Sequence, residues 1–311
     1  MIKKPCELTQ TKQHYNVLIA GFPGIGKSTL GFSAPKPLML NLDKGVMRVE
    51  ARFRKDISEV DTYEELLLDL DSSDLSEYES IVVDTGGRLL ELMKPWAKRK
   101  DAKNGQADGS LTLRGYGVVG NEFMRFLNHI KYDLKKHCIV LFHAKEEKDG
   151  DITKLRILVE GQTKENVWQP MDLGGFMEIK DKTRVIHFAN TERFFGKGAF
   201  GVKGTYKIPE LEKNSENNFI AMLFEKMDKF IAAESEEANI EHEKYLEVVN
   251  RIAPSIDCMT ADHIEDVQNL IKNASHFSTS EKELKARFSQ KLKELGYFWN
   301  KDVKQYQKLE L

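Results

Sequence analysis

With 311 residues, 41% hydrophobic and 31% charged, the chain is long enough for one large α/β domain and a smaller appendage with a well-solvated surface. A formal net charge of −2 excludes an overall basic field, so any polyanion has to be gripped by a local patch. Cys6, Cys138 and Cys258 are isolated without metal-ligand spacing, and neither a leader's apolar core nor a run of about 18 apolar residues occurs, so a reducing, cytoplasmic setting off the membrane is expected.

The first apolar run, residues 16–20 (NVLIA), reads as a buried strand. It leads into Gly21-Phe22-Pro23-Gly24-Ile25-Gly26-Lys27-Ser28, which fits GxxxxGK[ST] completely and opens the helical pattern STLGFSA. Strand, glycine loop and helix in that order form a phosphate cradle. Gly21, Gly24 and Gly26 let successive N–H groups point inward, Lys27 reaches the outer phosphates, and Ser28, next to Thr29, presents a hydroxyl to Mg²⁺. The expected ligands are therefore ATP and Mg²⁺.

A second strand at 37–42 ends on Asp43, beside the expected phosphates. Asp43 there orients an attacking water or merely begins a turn with Lys44-Gly45, and the residues leave both readings open. The run at 80–83 (SIVV) ends on Asp84, which downstream of a complete cradle reads as the acid holding Mg²⁺ through water. Residues 94–105 then concentrate Lys94, Lys98, Arg99, Lys100 and Lys103 around Trp96, with Arg114 further on. As a flexible loop this stretch would contact phosphates and stack a base; as a surface loop it would only be solvated.

Residues 116–136 carry Val119, Phe123, Leu127, Ile130 and Leu134 on one stripe, which predicts an amphipathic helix. The run at 138–142 (CIVLF) follows, with Cys138 as a buried hydrophobe and His143 as a γ-phosphate sensor or a simple strand end. Residues 145–170 mix Lys145, Lys148, Lys154, Arg156 and Lys164 with acids around ITKLRILV, which alternates like a hairpin strand. A strand at 185–188 precedes Arg193 and Lys197, which reach a neighbouring subunit's γ-phosphate in trans or lie in a surface loop.

The acidic stretch around 232–243 reads as a linker or exposed helix, giving a core at 1–232 and a helical region at 233–311. Helices are expected at 242–253, stopped by Pro254, at 261–274, and at 280–295 with a capping box of Ser280 and Glu283. Tyr297, Phe298, Trp299 and Tyr306 form a hairpin that presents aromatics or closes a small core.

Taken together, GFPGIGKST, LNLDKG, SIVVDTGG, RGYGVVGNEF and VLFHA resemble the RecA-type ATPase core over residues 14–230. The pattern is particularly similar to phage-encoded, core-only recombinases and single-strand-annealing partners. The resemblance implies a RecA-like P-loop NTPase core, a mainly parallel sheet flanked by helices, with a small helical C-terminal region. It also implies a Mg²⁺-dependent ATPase stimulated by single-stranded DNA and acting in phage recombination, annealing or replication in the host cytoplasm. A homo-oligomer, as ring or filament, and single-strand-binding or other recombination proteins would be its partners. In the resemblance Lys27, Asp43 and His143 take catalytic places. Asp43 stands where the family carries glutamate, one methylene longer. A nucleotide-dependent switch with little catalysis is the first alternative. The second is a small-molecule phosphotransferase, whose arginine-rich lid signature is not evident.

Overall fold

In the computed structural model the apolar runs lie side by side in one sheet. The structure describes residues 13–150, 152–159, 166–300, 303 and 305–308. Its strands are β1 (Asn16–Gly21), β2 (Pro37–Asn41), β3 (Ile57–Ser58), β4 (Ser80–Asp84), β5 (His137–Asp149), β6 (Ile152–Ile157), β7 (Leu173–Lys180), β8 (Thr183–His187), β9 (Thr205–Lys207), β10 (Tyr297–Asn300) and β11 (Gln305–Lys308). Its helices are α1 (Lys27–Gly31), α2 (Tyr63–Ser72), α3 (Gly86–Lys100), α4 (Leu113–Asn128), α5 (Phe219–Asp257), α6 (Ile264–Asn273) and α7 (Ser280–Glu294).

The main sheet runs β3-β2-β4-β5-β1-β7-β8-β9, with β6 paired to β5 off this path. From β3 to β7 every neighbouring pair is parallel, while β8 and β9 add antiparallel strands at one side. This is the expected α/β class: a mainly parallel sheet flanked by helices, with further helices following it. β1, β2 and β4 are buried at every position, as parallel strands covered on both faces must be. Leu18, Leu40, Val83 and Val140 share a core with Leu66 of α2, Leu89 of α3 and Phe123 of α4. Phe123 meets Phe142 edge-on at 6.4 Å, and truncating it to alanine would cost about 3–5 kcal/mol. Cys138 is fully buried in the same core.

β7 was not legible as a strand because Gly174 and Gly175 interrupt its apolar run. The glycines are there for close approach: a side-chain carbon would fall 2.4 Å from Trp168 at Gly174 and 2.5 Å from Ile186 at Gly175. The helix expected from 116 starts earlier, at Leu113, where the Thr112 hydroxyl accepts from the Gly115 amide at 3.1 Å.

The chain divides into two compact units, Lys12–Phe230 and Ile231–Leu311, and α5 runs through the division. Pro254 does not stop this helix. Ile252 and Ile256 on either side are fully buried in a small core, and that packing outweighs the missing N–H. The capping box expected at Ser280 is also absent. Ser280 is already inside α7, its hydroxyl accepts from the Phe277 amide, and Glu283 accepts instead from the Tyr245 hydroxyl. A complete capping box occurs at α2, where Thr62 and Glu65 satisfy each other's amides. β10 and β11 form the expected aromatic hairpin. Tyr297 and Tyr306 pack on the small core, whereas Phe298 and Trp299 stay exposed. No helix among the described residues is long and apolar enough to cross a membrane.

Candidate nucleotide-binding site

The strand register gathers the chemistry at one edge. Gly21 of β1 lies beside His143 of β5, and Asp84 of β4 lies between Asn41 of β2 and Leu141 of β5. All four strands are parallel, and β1, β2 and β4 end here while β5 runs on past it; the carboxyl edge is where open α/β sheets bind ligands. After β1 the backbone takes left-handed values at Gly24 (φ 77°) and Gly26 (φ 101°), so side chains are disfavoured at both and the loop curls.

Lys27 opens α1 and is only 5% exposed. Its Nζ donates to the carbonyls of Gly21 (3.0 Å) and Phe22 (2.9 Å), folding back over its own loop. Burial pushes its pKa down to about 8 against the opposing pull of Asp84 and Asp43. Asp84 is 2% exposed, and burial holds its carboxyl above the usual range while the Ser28 hydroxyl bonds to it. Its Oδ2 has no hydrogen-bond partner, and neither does the buried Nδ1 of His143. Burial also lowers the His143 pKa, with Lys27 adding to the effect, so the imidazole is neutral at pH 7. Unsatisfied buried polar atoms cost about 1–3 kcal/mol each; of the five among the described residues, these two lie at the strand edge beside Lys27, where a polar ligand could satisfy both.

The donor set also fits Mg²⁺. Ser28 and Asp84 offer a hydroxyl and one carboxylate, few enough for an ion that takes its other ligands from phosphate and water. Among the described residues no cluster of three or more His, Cys, Asp or Glu could hold a metal alone.

Asp43 lies just past β2, in a loop fixed by Asn41, whose fully buried Oδ1 accepts from the amides of Gly45 (3.0 Å) and Val46 (3.2 Å). The Asp43 carboxylate accepts from the Gly45 amide at 2.9 Å and pairs with Arg48 at 3.0 Å. Both the turn and the placement at the edge are therefore present together. Arg48 escaped the sequence reading. Its only signal is an arginine five residues beyond Asp43 across a glycine turn. Its charge reaches Asp84 and His143 as well.

The basic stretch is not a flexible loop. Lys94, Trp96, Lys98, Arg99 and Lys100 all lie on α3, which continues through Pro95 to Lys100 because Leu92, Met93 and Ala97 are buried. Trp96 is half-buried against the core, edge-on to Tyr63 at 5.5 Å, with the Lys100 ammonium 4.6 Å from its ring centre. Arg99 makes a two-pronged pair with Glu64, Lys94 pairs with Glu91, and Arg114 pairs with Asp101, each at 2.7 Å. Lys98 donates to the Gly109 carbonyl, and Lys103 lies in the short turn after α3. Of the in-trans candidates, Lys197 donates to the Met171 carbonyl of its own chain, and Arg193 sits 3.7 Å from Glu178. The expected hairpin is real: β5 passes His143 without a break and pairs with β6 from Ala144 to Asp149. Lys164 lies outside the described residues, as does Cys6.

A family model described as an AAA domain matches residues 13–200. No curated protein matches the chain in sequence. Among solved structures, a KaiC-like protein from the hyperthermophilic archaeon Pyrococcus horikoshii is similar at 14% identity and a TM-score of 0.36, over 63% of this chain and 89% of that one.

Proposed function

Since the chain belongs to the AAA domain family designated AAA_24, and is thereby a P-loop ATPase, we propose that it binds MgATP at Lys27, Ser28 and Asp84 and hydrolyses it with Asp43 and His143. The observation that carries this reading is the pair of buried, partnerless atoms, Asp84 Oδ2 and His143 Nδ1, at the edge where Lys27 sits. The loop amides from Gly24 to Thr29 receive the phosphates, and Lys27 exchanges two carbonyl partners for phosphate oxygens. Ser28 and Asp84 hold the Mg²⁺, which when bound neutralises phosphate charge. Asp43, braced by Gly45 and Arg48, orients the attacking water, and the neutral imidazole of His143 offers a hydrogen bond to the γ-phosphate.

The same reading makes single-stranded DNA the polymer that stimulates turnover, in recombination, annealing or replication by a ring or filament of this chain. What supports it is the continuity of β5, which carries His143 at the nucleotide edge and then becomes the β5–β6 hairpin with Lys145, Lys148, Lys154 and Arg156. ATP turnover measured with and without single-stranded DNA across a salt series tests both levels. Hydrolysis unaffected by DNA at low salt would remove the polymer and leave the ATPase.

A further inference from the structure

The second unit divides by charge. Residues 233–280 carry three Lys/Arg against ten Asp/Glu, whereas residues 281–311 carry eight against five. On this basic end Lys285 pairs with Glu281, Arg287 with Asp257 and Lys291 with Glu294. Lys282, Lys293 and Lys308 are exposed, and among the described residues they have no hydrogen-bond or ion-pair partner. A unit that is acidic as a whole therefore ends in a locally basic patch.

The β10–β11 hairpin belongs to this end, and its register sorts the side chains onto two faces. Tyr297 and Trp299 lie opposite Lys308 and Tyr306 on one; Phe298 and Asn300 lie opposite Gln307 and Gln305 on the other. The first face serves the fold: Tyr297 and Tyr306 pack on the small core, and Tyr306 meets Phe288 of α7 edge-on at 6.0 Å. Trp299 stands edge-on to Tyr306 at 4.9 Å and is still 46% exposed. On the second face Phe298, 42% exposed, sits among three carboxamides, and the Asn300 amide donates to Gln307 Oε1 at 2.8 Å. Neither Phe298 nor Trp299 belongs to the small core, so closing that core does not account for them.

Exposed rings on a hairpin, with carboxamides beside them and unpaired ammonium groups nearby, suit unstacked nucleobases on a phosphate chain. A base stacks on an aromatic ring whatever its identity, carboxamides donate to and accept from base edges, and lysines meet the phosphates. An apolar protein surface would use the rings and leave the amides and cations without partners. We propose that the β10–β11 hairpin is a binding site for single-stranded nucleic acid. Phe298 and Trp299 stack on bases, and Lys293 at the end of α7 and Lys308 on β11 meet phosphates. The site lies outside the family-matched residues 13–200 and requires neither the P-loop nor the β5–β6 hairpin.

The test uses the full chain without nucleotide, with oligothymidylate and oligouridylate as probes that separate DNA from RNA. Trp299 is the one exposed residue among the chain's three tryptophans, so stacking on it should quench intrinsic fluorescence. Trp299→Phe, which still stacks, should remove most of that quench and keep affinity within about threefold. Phe298→Ala and Trp299→Ala, with melting curves that match wild type, should each weaken binding about tenfold. Replacing Lys293 and Lys308 by Gln should lower the salt slope of log affinity by roughly 0.7 per contact. A preference for one probe names the sugar this site meets, and equal affinity marks a site that reads bases and phosphates alone. Binding that Phe298→Ala and Trp299→Ala leave unchanged, with no quench that Trp299→Phe removes, would overturn the hairpin site and leave nucleic-acid contacts at β5–β6 standing. Binding of neither probe by wild type would overturn both.

Discussion

Two positively charged regions of this molecule look alike in the sequence and opposite in the structure. At the strand edge a single lysine, Lys27, is buried beside two polar atoms that have no partner. On the second half of α3 and the turn after it five cations crowd together, yet Arg99 is held by Glu64, Lys94 by Glu91, Lys98 by a carbonyl, and Lys100 lies over Trp96. Counting charges favours the second region as a binding surface, whereas counting satisfied partners favours the first. A ligand gains most where it relieves a desolvated charge, and least where it must displace ion pairs already made.

The largest effect expected from this contrast is at Asp43. Asp43→Asn should lower kcat by about 10²–10³ while ATP affinity stays within about threefold, because a water-orienting group acts in the transition state. Single-turnover kinetics beside equilibrium binding separate the two. Weak binding with normal turnover would make Asp43 a turn residue only.

Asp84→Asn should weaken Mg²⁺-supported ATP binding and turnover together, by about tenfold or more. It should also raise the melting temperature of the ligand-free protein. Burial lifts the folded-state pKa of Asp84, so its ionised form is penalised above that pKa, and the neutral amide escapes the penalty. A lower melting temperature would show that Asp84 serves the fold rather than the ligand.

On the α3 face the same reasoning expects little. Neutralising Lys98, Arg99 and Lys100 should leave ATP affinity unchanged and stability within about 1 kcal/mol, since exposed ion pairs contribute little. If these cations do meet single-stranded DNA, the salt slope of log affinity should fall by roughly 0.7 per contact, about 2 in all. An unchanged slope would sharpen the comparison, placing DNA contacts off α3. Trp96→Ala belongs with the core rather than with base stacking, and should destabilise the protein by about 3–5 kcal/mol or less, given its half-burial.

What was legible in the sequence is what depends on neighbours in the chain. The glycine loop, Lys27 and Ser28 are contiguous, and Asp43, Asp84 and His143 each follow an apolar run that can only be a strand. α3 was misread because Lys94-Pro95 and the charges after it look like a loop, although Met93 and Ala97 bury a helical stripe across the proline. β7 hid behind two glycines that exist to admit Trp168 and Ile186. The Arg48–Asp43 pair and the anchoring of residues 208–218, which link the last strand of the main sheet to α5, depend on tertiary closure: one on a turn at Gly45, the other on Arg52 and Asn217 reaching distant backbone. Neither leaves a periodic trace.

The central claim is that Lys27 is a desolvated cation completed by a polyphosphate, and ATP affinity measured against pH in wild type and Lys27→Ala tests it most directly. In the free protein Lys27 loses its proton at about pH 8, and bound triphosphate restores it. Wild-type affinity should therefore be level below pH 8 and about tenfold weaker by about pH 9, as binding must take up a proton. Lys27→Ala, with an unchanged melting curve, should bind ATP at neither pH. A folded Lys27→Ala protein with wild-type affinity, or a wild-type profile flat through pH 9, would contradict the account.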